Sequence, residues 1–172
     1  MRVWTIRLGF LLVAFSTIVA VGGSSIAYAA FWDVTTFDPT VAKFATVPGM
    51  PSCATVAPVR GDPRSGPFVV IVKLAAGCRV PWHWHTANEE ILVSSGSGVL
   101  SMKDHHKPLQ FRPGAYASLP AHHVHQARCS TTCAFFSISD GAFDIHYVDD
   151  AGKEISEEEA FARSPKRRAK RR

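Results

Sequence analysis

His83 and His85 stand one residue apart, and Glu89 follows four residues after His85. A β-strand sends alternate side chains to one face. The two imidazoles of Trp82-His83-Trp84-His85 therefore point one way and the two indoles the other. Glu89 returns toward the imidazoles from the start of the following strand. Neutral imidazoles with one carboxylate suit Zn, Fe, Mn or Ni, and do not suit Ca or Mg. Such ligands must be deprotonated and converge at roughly 2.0–2.2 Å around one point. A further ligand has to come from a neighbouring strand, and Pro120-Ala121-His122-His123-Val124-His125 is the available donor. His125 closes the set from a third strand. His123 shares its strand parity and is expected to face inward too, as a catalytic acid/base, a substitute ligand or a histidine hydrogen-bonded at the rim. If all these groups only hydrogen-bonded in a barrel mouth, buried imidazoles and a carboxylate would be desolvated without a partner.

The elements that must position them are short strands. Phe68–Leu74 is a β-branched run that reads as a mostly buried strand. Further strands are expected at Ala54–Val59, Arg79–His85, Glu89–Ser94, Gly98–Lys103, Leu109–Phe111, Ala115–Leu119, Val124–Cys129, Cys133–Ser139 and Phe143–Val148. Gly, Pro, Asn, Asp or Ser separate most of them, the pattern of an antiparallel sandwich or barrel. Residues 30–51 read as irregular, with a short helix near Thr40–Ala45, and their aromatic residues Phe31, Trp32, Phe37 and Phe44 need a surface to cover. Ile155–Arg163 reads as one short acidic helix with Ser156 at its N-cap and Glu159 three residues on. No internal repeat is visible.

The stretch from Gly77 to Gly96 resembles the first motif of the cupin superfamily: Gly77, five residues, His83-x-His85, three residues, Glu89, six residues, Gly96. Gly114, Pro120 and His125 fit the second cupin motif, where His122 replaces a Gly and Cys129 replaces an Asn. A positive φ is often needed at that Gly, so the turn at His122 is expected to take a different shape. The resemblance covers roughly residues 67–148 and extends loosely to small single-domain bacterial cupins. It implies an all-β, double-stranded β-helix, the jelly-roll barrel, with a metal pocket inside. It does not imply a reaction, because the fold hosts dioxygenases, isomerases, decarboxylases and plain binding proteins.

The 172-residue chain is long enough for one domain with a sizeable core. Arg2 and Arg7 precede an apolar run from Leu8 to Val21, and Ala27-Tyr28-Ala29 forms an A-x-A cleavage pattern. Residues 1–29 read as a signal peptide cut before Ala30; an uncleaved anchor is the alternative, but the run is short for a span of about twenty residues. The domain is then residues 30–163 and the basic tail residues 164–172, expected to be disordered. The formal net charge of +5 describes the tail, because seven positive residues lie from Arg163 onward. Secretion or a periplasmic location follows, and makes nucleic acid an unfitting partner. The tail is either solvated or in weak contact with an anionic surface.

Four cysteines in an exported chain suggest disulfides, with three pairings open. Cys129 and Cys133 flank a hairpin-sized loop, which leaves Cys53 with Cys78; an inward-facing thiol at Cys129 is the other reading. Trp82 and Trp84 have to pack under the N-terminal segment, in a homodimer interface or between sheets, and the sequence leaves these open. The expectation is an exported metal-binding cupin acting as a metal-dependent, oxygenase-like enzyme or isomerase on a small molecule. A non-catalytic metal or small-ligand binding protein of the cell envelope is the alternative. An interaction module working through its tail is a third.

Overall fold

The computed structural model of the chain describes residues 34–163, so the signal peptide, Phe31, Trp32 and the basic tail lie outside the described residues. Ten strands and one helix follow in order. They are β1 (Ala54–Gly61), β2 (Phe68–Leu74), β3 (Arg79–Trp84), β4 (Glu89–Ser95), β5 (Gly98–Met102), β6 (Leu109–Phe111), β7 (Tyr116–Leu119), β8 (His125–Cys129), β9 (Cys133–Ser139), β10 (His146–Tyr147) and α1 (Glu157–Arg163). They form two five-stranded sheets, β1-β2-β9-β4-β7 and β10-β3-β8-β5-β6. The strand pairs are antiparallel, and the arrangement is the jelly-roll barrel.

The core lies between the sheets, because alternate residues of both turn inward. Val70, Val72 and Leu74 of β2 meet Ile91 and Val93 of β4, Leu100 of β5, Phe111 of β6 and Phe135 of β9, all buried. A second, smaller cluster covers the outer face. Ala57, Ile71 and Ala134 are buried under Phe37, Ala42 and Phe44, with the Phe37 and Phe136 rings edge-on at 6.2 Å. The expected helix at Thr40–Ala45 is absent. The chain makes a turn there and then bridges Ala45 to Val56, because an extended segment lays its aromatic side chains across a sheet better than one helical turn would.

At α1, the Ser156 hydroxyl accepts the Glu159 N–H at 3.2 Å, and Glu157, Glu158 and Glu159 fill the first turn. Both features stabilise a helix N-terminus.

One end of the barrel carries the cysteines. Cys53 and Cys78 are joined, with Cα atoms 5.7 Å apart, and Cys129 and Cys133 are joined, with Cα atoms 6.0 Å apart. Backbone bonds tie the two links together: the Cys129 N–H donates to the Cys78 carbonyl at 3.0 Å, and the Gly77 N–H donates to the Cys129 carbonyl at 2.9 Å. Cys53 and Cys78 are 25 residues apart, so loop-closure entropy assigns this link about 3.5 kcal/mol. The shorter Cys129–Cys133 link is assigned about 2 kcal/mol by the same relation. Urea unfolding of oxidised protein is expected to show Cys53→Ser/Cys78→Ser losing more stability than Cys129→Ser/Cys133→Ser.

The pairing of β3 with β8 holds the irregularity that makes the site. Val80 sits opposite Ala127, and His83 opposite His125, so β3 carries one extra residue between these pairs. Strict alternation from the buried Val80 would have sent Trp82 and Trp84 inward. The bulge reverses the faces, so that His83 is buried while both indoles stay half-exposed. Pro81 has no N–H to lose from the ladder, and suits a bulge.

Candidate metal centre

His83, His85 and His125 point into the barrel at the end opposite the cysteines. One ring nitrogen from each lies within 4.8 Å of the others. Each ring is oriented by a backbone carbonyl at its Nδ1. His83 meets the Pro81 carbonyl at 2.6 Å, freed from the ladder by the bulge; His85 meets that of Asp144; His125 meets that of His123 at 2.8 Å. A carbonyl only accepts, so each Nδ1 carries a proton, and the lone pair that a metal would take from each ring lies on Nε2. Such outer contacts are what orient imidazole ligands in metal sites.

Glu89 opens β4 and completes the cradle. Its Oε2 lies 3.5 Å from His85 Nε2 and 3.3 Å from His125 Nε2. Its Oε1 accepts a hydrogen bond from the Ser137 hydroxyl at 2.7 Å. Oε2 itself is buried and has no hydrogen-bond donor. Two ligand atoms held at roughly 2.0–2.2 Å from one tetrahedral ion stand about 3.3–3.6 Å apart, the separations seen here. An orphaned carboxylate oxygen facing imidazole lone pairs is destabilising by itself, and a divalent cation satisfies all of them at once. The three imidazoles and the carboxylate therefore fit a transition metal.

The electrostatics favour the ligating forms. Burial, then the nearby charges of His125 and His85, hold the His83 imidazole well below its ordinary value, and so neutral. Burial alone would raise the Glu89 carboxyl. His85, His125 and the Ser137 hydroxyl together outweigh it and hold Glu89 below the usual carboxylate range. Ser137→Ala is expected to free the Glu89 carboxylate and to weaken metal binding about 10- to 100-fold, as loss of an orienting partner does. Chelator competition would measure it.

A cavity of about 180 Å³ opens beside these four residues. Phe68, Ile91, Leu100, Phe135 and Ile145 make much of its remaining wall, and Arg64 sits at its edge. The Arg64 guanidinium is engaged by Asp62 at 2.8 Å and is largely exposed. The loops around the opening are clipped by Asn88, whose side chain donates to Asp140 and accepts the Ala121 N–H at 2.9 Å. Asp144 accepts the Thr86 N–H at 2.8 Å.

His123 is not part of this group. It does not line the cavity, and its Nε2 lies 3.2 Å from Asp104 Oδ1 instead. The strand parity that put it beside His125 does not apply, because β8 begins only at His125 and the preceding residues form a turn. His122, expected to change that turn, does not. It has φ 63°, the one positive φ outside glycine among the described residues, so the left-handed turn is kept with a histidine in it. Its N–H donates to the His85 carbonyl at 2.8 Å.

The outward tryptophans are covered locally. Trp84 stacks on His146 with ring centroids 3.9 Å apart and planes 5° from parallel, and His122 approaches at 4.5 Å. Trp82 faces a recess shared with Ile155, Ala160 and Arg163 around α1. Ser137 and the Asp144 carbonyl had not been singled out in the sequence. A serine on a strand and a backbone carbonyl carry no motif, and only the register Glu89↔Ser139 brings Ser137 to the carboxylate.

Residues 35–144 match the family profile of the ChrR cupin-like domain. No curated protein matches the chain. Among solved structures the chain is similar to the polyketide cyclase RemF from Streptomyces resistomycificus, at TM-score 0.58 and 20% identity over 68% of this chain and 87% of that one. It is similar to KdgF from Halomonas sp., at TM-score 0.55 and 17% identity over 65% of this chain and 97% of that one. It is also similar to the DMSP lyase DddQ from Ruegeria pomeroyi DSS-3, at TM-score 0.55 and 19% identity over 66% of this chain and 64% of that one. At these identities the likeness is one of fold.

Proposed function

This chain belongs to the ChrR cupin-like domain family, and from that premise we propose that it holds one divalent transition metal with His83, His85, Glu89 and His125 and uses it on a small molecule. The observation that carries the reading is the orphaned Glu89 Oε2 beside the Nε2 atoms of His85 and His125, two of three clustered imidazoles at the wall of an apolar cavity. The cavity volume admits a small molecule, and its lining favours one that is largely apolar. When bound, the ion would act as a Lewis acid or, if it is iron, support oxygen chemistry. The protein's own part is to hold the ligands in one tautomer, to exclude bulk water with Phe68, Phe135 and Ile145, and to orient the substrate against the ion. With His123 outside the cavity, acid/base work is left to the metal site itself, and an oxygenase-like reaction asks least of further side chains.

The compartment belongs to the same proposal. Residues 1–29 direct export, residues 30–163 form the mature domain, and the tail from residue 164 stays solvated or meets an anionic surface. The paired cysteines support an oxidising compartment. Metal analysis of protein purified from the exported fraction tests the core of the reading. About one equivalent of Fe, Zn, Mn or Ni is expected at this centre, and that equivalent is lost in Glu89→Ala. Iron-loaded protein in air is then expected to consume oxygen only with certain small apolar compounds. A metal-loaded protein that transforms none of a broad panel favours the alternative, a non-catalytic metal or small-ligand binding protein of the cell envelope. A protein that binds no transition metal at all overturns both.

A further inference from the structure

We propose that Asp104, His105 and His123 form a second divalent transition-metal site, on the surface and apart from the cavity. One ligand atom from each of the three lies within 4.8 Å of the others. Asp104 Oδ1 and His123 Nε2 are 3.2 Å apart, close to the edge of a tetrahedron around an ion with bonds of roughly 2.0–2.2 Å. The His105 and His123 rings have centroids 6.1 Å apart, tilted by 54°, so both can turn a nitrogen to a common point.

Two further observations point to a ligand. His123 Nε2 is buried and has no hydrogen-bond partner, and buried polar atoms are rarely left so. Its neighbour Asp104 is 70% exposed, so the pair reaches from a covered nitrogen out to solvent, where an ion can enter. The nearby cation that would repel an ion is drawn away. Lys103 Nζ donates to the Asp150 carbonyl at 2.9 Å and reaches the Asp149 carbonyl at 3.4 Å.

The backbone prearranges the three residues. Met102 pairs with His125 at the end of the β5–β8 ladder. Beyond it, the Lys103 N–H donates to the Val124 carbonyl at 3.0 Å. The register thus continues past the strands and sets Asp104 and His105 against His123. The His105 N–H donates to the Met102 carbonyl at 3.2 Å and the His123 N–H to the Pro120 carbonyl at 3.0 Å, so each residue leaves a closed turn in a fixed direction. Two imidazoles and one carboxylate select Zn, Ni or Cu over Ca or Mg, and leave the remaining positions to water. An ion here would clamp the β5–β6 hairpin tip to the turn that hands His125 its orienting carbonyl.

The site rests on its own residues and not on the central centre, and metal counting separates the two. Chelator-stripped full-length protein is dialysed against zinc chloride, and bound zinc is counted by elemental analysis. Two equivalents are expected for the wild type, and one for His83→Ala/His85→Ala. Asp104→Asn and His105→Ala change exposed side chains, and each is expected to weaken one equivalent about tenfold or more, keeping the wild-type circular dichroism and the other equivalent. A wild-type protein with one equivalent that Asp104→Asn removes supports this site and overturns the central reading. One equivalent that only His83→Ala/His85→Ala removes overturns this site, as does a second equivalent that survives both Asp104→Asn and His105→Ala.

Discussion

His125→Ala is expected to strip the central ion from the barrel, while His123→Ala leaves that ion in place. His125 is buried, its ring is oriented through the His123 carbonyl, and its Nε2 stands 3.3 Å from Glu89 Oε2. Alanine keeps the backbone carbonyl at residue 123, so the His123 side chain can be removed without disorienting His125. Loss of a mere orienting partner weakens a metal site about 10- to 100-fold, and loss of a ligand is expected to exceed that. Competition against a coloured chelator reads the difference directly. Retention of the wild-type central affinity in His125→Ala would show that the β8 register assigned to the ligand set is not the one that binds. The same experiment on His83→Ala, His85→Ala and Glu89→Ala is expected to give comparable losses, because the four groups would share one ion.

The second large effect is on stability. Gly96→Ala is expected to destabilise the fold by about 2–5 kcal/mol, and Gly114→Ala by only about 1–2 kcal/mol. Both glycines have φ +84°, so both variants bear the left-handed penalty. A Cβ on Gly114 meets nothing within 4 Å. On Gly96 it runs into the Thr132 carbonyl oxygen and comes within 2.5 Å of Cys133 Cα, backbone that cannot swing aside. Urea midpoints of the two variants isolate the steric term, and equal midpoints would remove the close packing of β4's end against Cys133 as its cause.

The residues that were legible in the sequence are those whose spacing is set by covalent geometry. The His83-x-His85 pair and Glu89 sit on one β-turn-β segment, so counting residues was enough to bring them together. The ten strands were legible for the same local reason, to within a residue or two, except β10, which is only His146–Tyr147. What failed was parity carried beyond a strand end. His123 was placed inward by counting back from His125, but the left-handed His122 reverses the chain just before β8 begins. The outward tryptophans were legible from the parity of His83 and His85, whereas the bulge after Val80, which lets Val80 be buried as well, is signalled by no composition. The short helix expected near Thr40–Ala45 does not form, because Ile71 and Ala134 on the sheet offer the side chains of Ala42 and Phe44 a surface to cover. Ser137 depends on which strand neighbours β4, a long-range fact.

The two ends of this barrel are held by different chemistry. At one end, covalent links join Cys53 to Cys78 and Cys129 to Cys133; at the other, the strand ends are held by hydrogen bonds and by side chains that an ion could gather. Amide protons beside the cysteines are then exchanged for deuterium mainly by global unfolding, and those around the Glu89 end by local fraying until an ion arrives. The chain would thus mature in two chemically distinct stages, oxidation and metallation, and in a reducing, metal-poor environment it would keep both ends ajar and open to proteases.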